Sequence, residues 1–261
     1  MSTVSSDVRE RFTATAFRTG WAMASRVPEP LAHLLVDRVA DRMHRRGGPR
    51  VEQLRRNLRR AVPTASPAEL DSVVRAGLRS YARYWCDAFQ LPAWDRARTV
   101  DTVSFRRGDA LRAALRDGGA VAFLGHLGNW DHAAAWSALE LAPVVTVAER
   151  LRPEAVFQEF LRFRRGLGME VLALGDPTTF PTLVRRVRAG AFAPLLADRD
   201  LSGSGVEVDF LGERVPMAQG PAALAIASGA PLFPFAMHHD SRGGDHAGVL
   251  VLDVGAEVPV P

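Results

Sequence analysis

The spacing of apolar and polar residues along the chain changes character near residue 100. Before that point, apolar residues recur every three or four positions, which is typical of helices that bury one face. The pattern predicts helices over residues 7–27, 31–44, 51–61 and 67–90. Ser66 followed by Pro67 has the composition of a helix start, with the serine as N-cap. We therefore expect a helical N-terminal region.

From residue 100 onward, short apolar runs alternate with amphipathic segments. The runs predict strands over 100–105, 120–124, 144–148, 170–174, 192–197, 205–210, 231–237 and 248–253. The intervening segments predict helices over 110–116, 153–166, 180–188 and 218–228, and another that begins at Trp130. Such alternation predicts an α/β fold, with a mostly parallel central sheet and helices on both faces. We expect one domain over residues 1–261, in which a basic helical region (1–95) precedes an α/β catalytic core (96–261).

The charge of the chain is unevenly distributed. Residues 1–120 contain 22 arginines and 13 acidic residues, a net charge of +9, whereas residues 121–261 carry a net charge of −5. This asymmetry predicts an anionic partner for the first part, either a membrane surface or nucleic acid. The single cysteine, Cys86, excludes an internal disulfide framework and cysteine-based zinc clusters.

Seven arginines lie between residues 45 and 60, and three interpretations of this segment are open. It is a solvated helix face, a nucleic-acid contact or a contact with anionic lipid headgroups. We expect no nucleic-acid partner, because no recognised nucleic-acid motif accompanies the segment. The N-terminal helical region is instead expected to face an anionic membrane surface. We expect no transmembrane helix, because prolines and glycines interrupt the one long uncharged stretch, 215–239.

The most informative motif is GHLGNWD at 125–131, which places His126 and Asp131 in the spacing H-x4-D. It lies in a predicted strand-to-helix turn, where an imidazole can act as a general base with a carboxylate as its orienting partner. Gly125 and Gly128 permit backbone conformations that are closed to other residues. Asn129 is expected to cap the following helix.

Two further strand ends carry charged residues. Glu149 and Arg150 follow the strand 144–148, and the Asp198-Arg199-Asp200 run follows the strand 192–197. Ligands of α/β sheets bind beyond the carboxyl ends of the strands, so these residues are expected to meet His126 at one edge. Three arginines of the helix 153–166 are suited to binding phosphate: Arg162, Arg164 and Arg165.

Other catalytic motifs are missing from the sequence. It has no G-x-S-x-G nucleophile elbow, no G-x-x-x-x-G-K-[ST] loop and no G-x-G-x-x-G fingerprint. One alternative metal site consists of His238, His239 and Asp240 together with His246. We favour a strand end for these residues and expect no metal or cofactor.

Taken together, the segments resemble the bacterial lipid A acyltransferase family and, within it, the actinobacterial phosphatidylinositol mannoside acyltransferases. The core of the resemblance is GHLGNWDHAAAW at 125–136. It extends over residues 147–169 and 195–235, and over the N-terminal stretches NLRRAVP and YARYWCDAF. The resemblance therefore covers nearly the whole chain.

The resemblance implies transfer of a long-chain fatty acyl group from acyl-CoA to a mannose hydroxyl of a phosphatidylinositol mannoside glycolipid. The protein would then work peripherally, at the cytoplasmic face of the cell membrane. In these terms His126 is the general base and Asp131 orients the imidazole or shapes the turn. Asp198 is the other candidate for contact with His126, and which of the two carboxylates touches the ring stays open. Arg164 is implied to hold phosphate or carbonyl oxygens. With Glu149, Arg150 and Arg199 it makes up the expected substrate-binding set.

Alternatives to this activity remain open. The same basic surface and an apolar tunnel suit a lipid-binding protein without catalysis, which would tolerate loss of His126. An acyltransferase acting on another glycolipid or on a lysophospholipid would need the same motif. A hydrolase that uses a metal bound at residues 238–246 would be sensitive to chelators.

Overall fold

A computed structural model describes Thr19, Trp21 and residues 25–201, 203–240 and 248–260. The predicted helix 7–27 lies mostly outside the described residues. The helical region that follows contains α1 (Glu29–Arg46), α2 (Pro49–Ala61) and α3 (Pro67–Gln90). Ser66 caps α3 as predicted, and the Glu69 side chain reaches back to the Ser66 N–H, which completes a capping box.

The rest of the chain begins with α4 (Arg96–Asp101) and continues as strands separated by helices. The strands are β1 (Val103–Arg106), β2 (Ala120–Leu124), β3 (Val144–Ala148), β4 (Met169–Ala173), β5 (Phe192–Leu196), β6 (Val206–Phe210), β7 (Glu213–Met217), β8 (Leu232–Asp240) and β9 (Val249–Val254). The helices are α5 (Asp109–Asp117), α6 (Trp130–Glu140), α7 (Glu154–Gly166), α8 (Thr179–Arg188) and α9 (Gly220–Ser228).

Seven of the strands form the central sheet, in the order β1-β9-β8-β2-β5-β3-β4. The five from β8 to β4 run parallel to one another, whereas β9 pairs antiparallel with β8 and carries β1 parallel to itself. The mostly parallel sheet is therefore confirmed. Because β2 and β5 are neighbours, the segments that follow them emerge side by side at one edge.

Helices cover both faces of the sheet, as predicted. On one face, Leu183 and Val187 of α8 and Leu224 of α9 pack against strand residues such as Val121. On the other face, α5 and α6 pack against Ala122, Phe192 and their neighbours. The central strands are buried on both sides, which is why they read as continuous apolar runs in the sequence.

Two local predictions differ from the structure. The strand predicted over 100–105 is wrong at its start, because Asp95 caps α4 and keeps Val100 and Asp101 helical. The strand β7 was not predicted, and it pairs antiparallel with β6 in a hairpin apart from the main sheet. Among the described residues, each helix is too short or too polar to cross a bilayer.

Candidate active site

The ring of His126 lies at the carboxyl edge of the sheet, in contact with Asp198. Its Nδ1 is 2.7 Å from Asp198 Oδ1, and the His126 peptide N–H donates to Asp198 Oδ2 at 3.1 Å. Both oxygens of the carboxylate therefore hold the same residue. The two side chains are 32% and 35% exposed, so the ring is open to an incoming molecule while its orientation is set from behind.

The turn that carries His126 depends on glycine at one position. Gly128 has a φ of +56°, and a Cβ there would lie 3.1–3.3 Å from Met237 and Leu250. Gly125 does not use this freedom: its backbone lies outside the left-handed region, and a Cβ would meet its neighbours at an ordinary 3.6–3.7 Å. Asn129 caps α6 by accepting the peptide N–H of His132 at 3.0 Å, as predicted.

Asp131, the second member of the H-x4-D motif, is 2% exposed and lies beneath the turn. Arg164 of α7 donates its Nε–H to Asp131 Oδ1 at 2.7 Å, and Tyr84 of α3 donates its hydroxyl to Oδ2 at 2.8 Å. The carboxylate in contact with the His126 ring is thus Asp198, and Asp131 joins three helices at the start of α6.

Tyr84 is a member of this network that the sequence reasoning missed. The centroid of its ring lies 4.1 Å from that of the Trp130 ring. The Trp130 indole in turn packs edge-on against the His126 ring, with 5.2 Å between their centroids. A continuous series of contacts therefore links α3 to the imidazole. The signal was present in the YARYWCDAF stretch, but a tyrosine at helical spacing is indistinguishable from a core residue until its partner is known.

The surroundings shift the pKa values of the charged groups in predictable directions. Partial burial opposes ionisation of Asp198, but the hydrogen bonds from the His126 ring and peptide N–H lower the pKa of the Asp198 carboxyl. Burial and the Asp131 charge raise the pKa of the Tyr84 hydroxyl, so it stays a donor. Burial works against the Arg164 charge, yet the Asp131 carboxylate raises the pKa of Arg164 overall. The site thus combines an ionised carboxylate near the surface with an ion pair below it.

The other predicted binding residues lie on exposed segments after their strands. Glu149 and Arg150 follow β3, and Arg150 pairs with Glu154 at 2.8 Å. Arg199 is exposed beside Asp198, whereas Asp200 accepts the peptide N–H of Gly205 at 2.8 Å. All follow strands that end at the edge where His126 lies. Their roles in binding stay predictions.

The alternative metal site at residues 238–246 lies only partly within the described residues, since His246 falls outside them. His238 and His239 are consecutive residues of β8, so their side chains point to opposite faces. Elsewhere among the described residues, His33, Cys86 and Asp87 bring three potential ligands together. There the His33 ring already bonds Asp87 at 2.6 Å across a helix interface. The expected absence of a metal stays a prediction.

Two cavities lie beside α6. A narrow one of about 60 Å³ begins at Trp130, Asp131 and Arg164 and continues between the helix and the sheet, along apolar side chains including Leu124, Ala134, Val147, Phe192, Leu196 and Phe235. A groove of about 810 Å³ lies on the other side of the helix, between Trp94 and Phe163. We place the candidate site at the narrow cavity despite its size, because Leu124, Trp130 and Asp131, which flank the His126 turn, line it.

Comparisons with known proteins agree with this geometry. The profile of the bacterial lipid A biosynthesis acyltransferase family matches residues 3–251. A phosphatidylinositol mannoside acyltransferase from Mycolicibacterium smegmatis is 44% identical over 225 residues, which cover 85% of this chain and 73% of the relative. Proteins of the same name from two Mycobacterium tuberculosis strains are 41% identical over 244 residues, or 91% of this chain and 76% of theirs. The chain therefore belongs to the bacterial lipid A biosynthesis acyltransferase family, and it is an acyltransferase.

Proposed function

We propose that the protein transfers a long-chain fatty acyl group from acyl-CoA to a mannose hydroxyl of a phosphatidylinositol mannoside. The observation that carries the proposal is the His126–Asp198 pair, exposed at the carboxyl edge of the sheet with both carboxylate oxygens on the histidine. The names of the mycobacterial relatives support the choice of acceptor. Acyl-CoA is a co-substrate here, and the chemistry requires no metal or other cofactor.

The reaction follows from the geometry of the pair. A sugar hydroxyl is a weak nucleophile at neutral pH, so His126 takes its proton through Nε2 while the oxygen attacks the thioester carbonyl. Asp198 on Nδ1 fixes the tautomer and stabilises the imidazolium. The new C–O bond forms, the C–S bond breaks, and the proton passes from His126 to the departing thiolate, which leaves as the free thiol of CoA.

The oxyanion of the tetrahedral intermediate needs donors close to His126. The first N–H groups of a helix have no intrahelical partner, and those of α6 begin beside the imidazole. Arg164 keeps N–H groups beyond those that bond Asp131 and is the proposed donor to carbonyl or phosphate oxygens of the acyl-CoA. Glu149, Arg150 and Arg199 are proposed to contact the polar parts of the two substrates at the rim.

The acyl chain needs an apolar path that starts at the reacting carbonyl. The narrow cavity is proposed as this path, because it is lined by Trp130, which contacts the His126 ring, and by apolar side chains of α6 and the strands. At about 60 Å³ it must widen as the chain enters. Because the acceptor is a membrane lipid, we also propose that the protein works as a peripheral protein at the cytoplasmic face of the cell membrane.

The decisive experiment is incubation of the purified protein with a long-chain acyl-CoA and a panel of acceptors. The panel contains phosphatidylinositol mannosides, another glycolipid and a lysophospholipid, and a parallel reaction supplies the acyl group on acyl-carrier protein. Thiol release and product mass are the two readouts. We expect CoA release and an acylated mannoside, with both abolished by His126→Ala and unchanged by His238→Ala, a histidine exposed on β8.

The outcomes separate the alternatives. Equal thiol release by the His126→Ala protein refutes the proposed base. If only the lysophospholipid is acylated, it replaces the phosphatidylinositol mannoside as the proposed acceptor. If thiol is released only from acyl-carrier protein, that protein replaces acyl-CoA as the proposed donor. Lipid binding without thiol release in any reaction supports the non-catalytic alternative, and loss of activity with a chelator supports the metal-dependent one.

A further inference from the structure

We propose that the outward face of α1 is the surface by which the protein docks on an anionic bilayer. The inference deepens the proposed membrane location. It identifies a surface that shares only Arg45 and Arg46 with the Arg-rich segment 45–60, for which lipid contact was one of three open interpretations. It rests on the orientation of one helix, whose polar face is turned towards the protein and whose leucines are turned away from it.

The inner face of α1 is held by charged contacts to α3. Asp41 accepts bidentate bonds from Arg75 and Arg79 at 2.5–2.8 Å, and Asp37 does so from Arg83. His33 bonds Asp87 at one end of the interface and His44 bonds Asp71 at the other. Ala32 and Ala40 are the buried apolar residues of the helix. The face that a surface helix normally fills with leucine is therefore polar here.

The outer face of α1 carries the large apolar residues instead. Their exposed fractions lie between 45% and 58% for the set Leu31, Leu34, Leu35, Val39 and Met43. The spacing of three and four residues places them along one side of the helix. An 18-residue helix is about 27 Å long, so the set forms an extended apolar stripe rather than a single exposed side chain.

The charges of the helix identify the occupant of this stripe. All three acidic residues of α1 are paired with arginines, Asp37 and Asp41 by α3 and Glu29 by Arg98. The exposed charged residues of this face are Arg38 and Arg42, on either side of Val39 in the sequence, followed by Arg45 and Arg46 at the end of the helix. An apolar stripe whose second half alternates with arginines suits a layer with acyl chains below and phosphates above, since an arginine stem lies along apolar groups while its guanidinium reaches the headgroups.

Vesicle binding by the full chain tests the proposal. The vesicles contain equal parts phosphatidylglycerol and phosphatidylcholine, and a second set contains phosphatidylcholine alone. We expect Leu31→Gln/Leu35→Gln/Val39→Gln to weaken binding to the anionic vesicles at least about 100-fold. The reason is that each substitution removes the favourable free energy of moving an apolar side chain from water into the acyl layer. Arg38→Gln/Arg42→Gln should weaken it about fivefold per arginine and reduce its salt dependence. Glutamine is a good helix former, so the helix is retained.

A control triple variant has matched exposure elsewhere on the protein. Leu174→Gln/Phe180→Gln/Ile226→Gln alters side chains that are 41%, 41% and 56% exposed, on and beside α8 and α9. This control should bind vesicles like the parent protein. Equal loss of binding in both triple variants, or full binding by the α1 variant, overturns the assignment. The His126→Ala protein should also bind like the parent, so failure of the proposed chemistry is distinguishable from failure of the docking face.

A fluorescent probe at the centre of the stripe separates the bilayer from other occupants. Burial raises the pKa of the Cys86 thiol to about 12, so a thiol-reactive dye at neutral pH labels Leu35→Cys selectively. We expect a blue shift of the label on addition of anionic vesicles only. If the label is shielded from water, its emission does not respond to vesicles and the protein is monomeric, this chain's own N-terminal segment covers the stripe. Shielding that disappears on dilution, together with a dimer in light scattering, indicates a second copy. Either result overturns the bilayer assignment.

Discussion

The two carboxylates near the start of α6 have opposite surroundings. Asp198 is about one-third exposed and holds a histidine that faces solvent, whereas Asp131 is buried and holds an arginine and a tyrosine from two other helices. Only Asp131 belongs to the H-x4-D spacing, yet Asp198 makes the contact that suits a general base. We propose that the outer pair (His126–Asp198) carries out the proton transfer. The inner network (Tyr84–Asp131–Arg164) is proposed to position the turn and the Arg164 guanidinium that contacts the acyl-CoA.

This division has a physical reason. A base must meet its substrate and change its charge during the reaction, so it needs an open side and a carboxylate that stays ionised. An ion pair that anchors three helices works best away from water, where its geometry is fixed and removal of one partner is costly. Trp130 lies between the two sets, and its uncharged ring contacts both Tyr84 and His126.

The largest effect is expected from His126→Ala. Removal of the base should lower kcat for acyl transfer about 10³- to 10⁴-fold, because a positioned general base contributes on this scale. The melting temperature should change little, since the ring is one-third exposed. Steady-state thiol release and thermal unfolding are the two measurements. A large drop in melting temperature would show that the outer pair also supports the fold, and it would contradict the division between the outer pair and the inner network.

The inner network should give the reverse pattern with Asp131→Ala. Loss of this carboxylate leaves the Arg164 charge, 18% exposed, without its partner, and we expect a loss of about 3–5 kcal/mol in the free energy of unfolding. Activity should fall only as far as the turn and the Arg164 guanidinium, the proposed donor to the acyl-CoA, are displaced. Urea unfolding at constant pH measures the stability, and turnover per folded molecule measures the activity. A catalytic loss as large as that of His126→Ala, without destabilisation, contradicts the division.

Much of this arrangement was predictable, because it depends on local patterns. The strand-to-helix turn at His126 follows from an apolar run, two glycines and an Asn cap within ten residues. The position of Asp198 follows from the strand ends of a parallel sheet, although sequence reasoning left open which carboxylate contacts the ring. The strands of the central sheet were identified to within a few residues, since burial on both faces makes most of them uniformly apolar, whereas the exposed hairpin strand β7 was missed.

What could not be predicted depends on contacts between distant segments. Tyr84 and Asp131 are 47 residues apart, and nothing in the sequence around either residue indicates the pairing. Val100 was assigned to a strand by its apolar character, but the Asp95 cap overrode that propensity. The orientation of α1 was also hidden, because its periodicity identifies an amphipathic helix without showing which face is turned inwards.

Asp198→Asn should have an intermediate effect that is specific to catalysis. The amide keeps the size of the carboxylate but loses the charge that stabilises the imidazolium, and its NH₂ group replaces one of the two oxygens that accept from His126, so kcat is expected to fall at least about 100-fold. The melting temperature should stay close to that of the parent protein. Combining Asp198→Asn with His126→Ala should add little to the loss from His126→Ala alone, because the two residues act as one unit. Fully additive losses would show that Asp198 acts on something other than the imidazole.

The smallest effect is expected from Tyr84→Phe, which removes one hydroxyl from the inner network. Asp131 loses the donor 2.8 Å from its Oδ2, and we expect a cost of about 1.5 kcal/mol in the free energy of unfolding, typical of a hydrogen bond to a charged group. The aromatic contact with Trp130 remains, so turnover per folded molecule should be nearly unchanged. Tyr81→Phe is the matched control, since that ring is 60% exposed on the same helix, and it should be neutral. If Tyr84→Phe instead lowers turnover without lowering stability, the hydroxyl acts on the chemistry, and the boundary between the two sets of residues must be moved to include it.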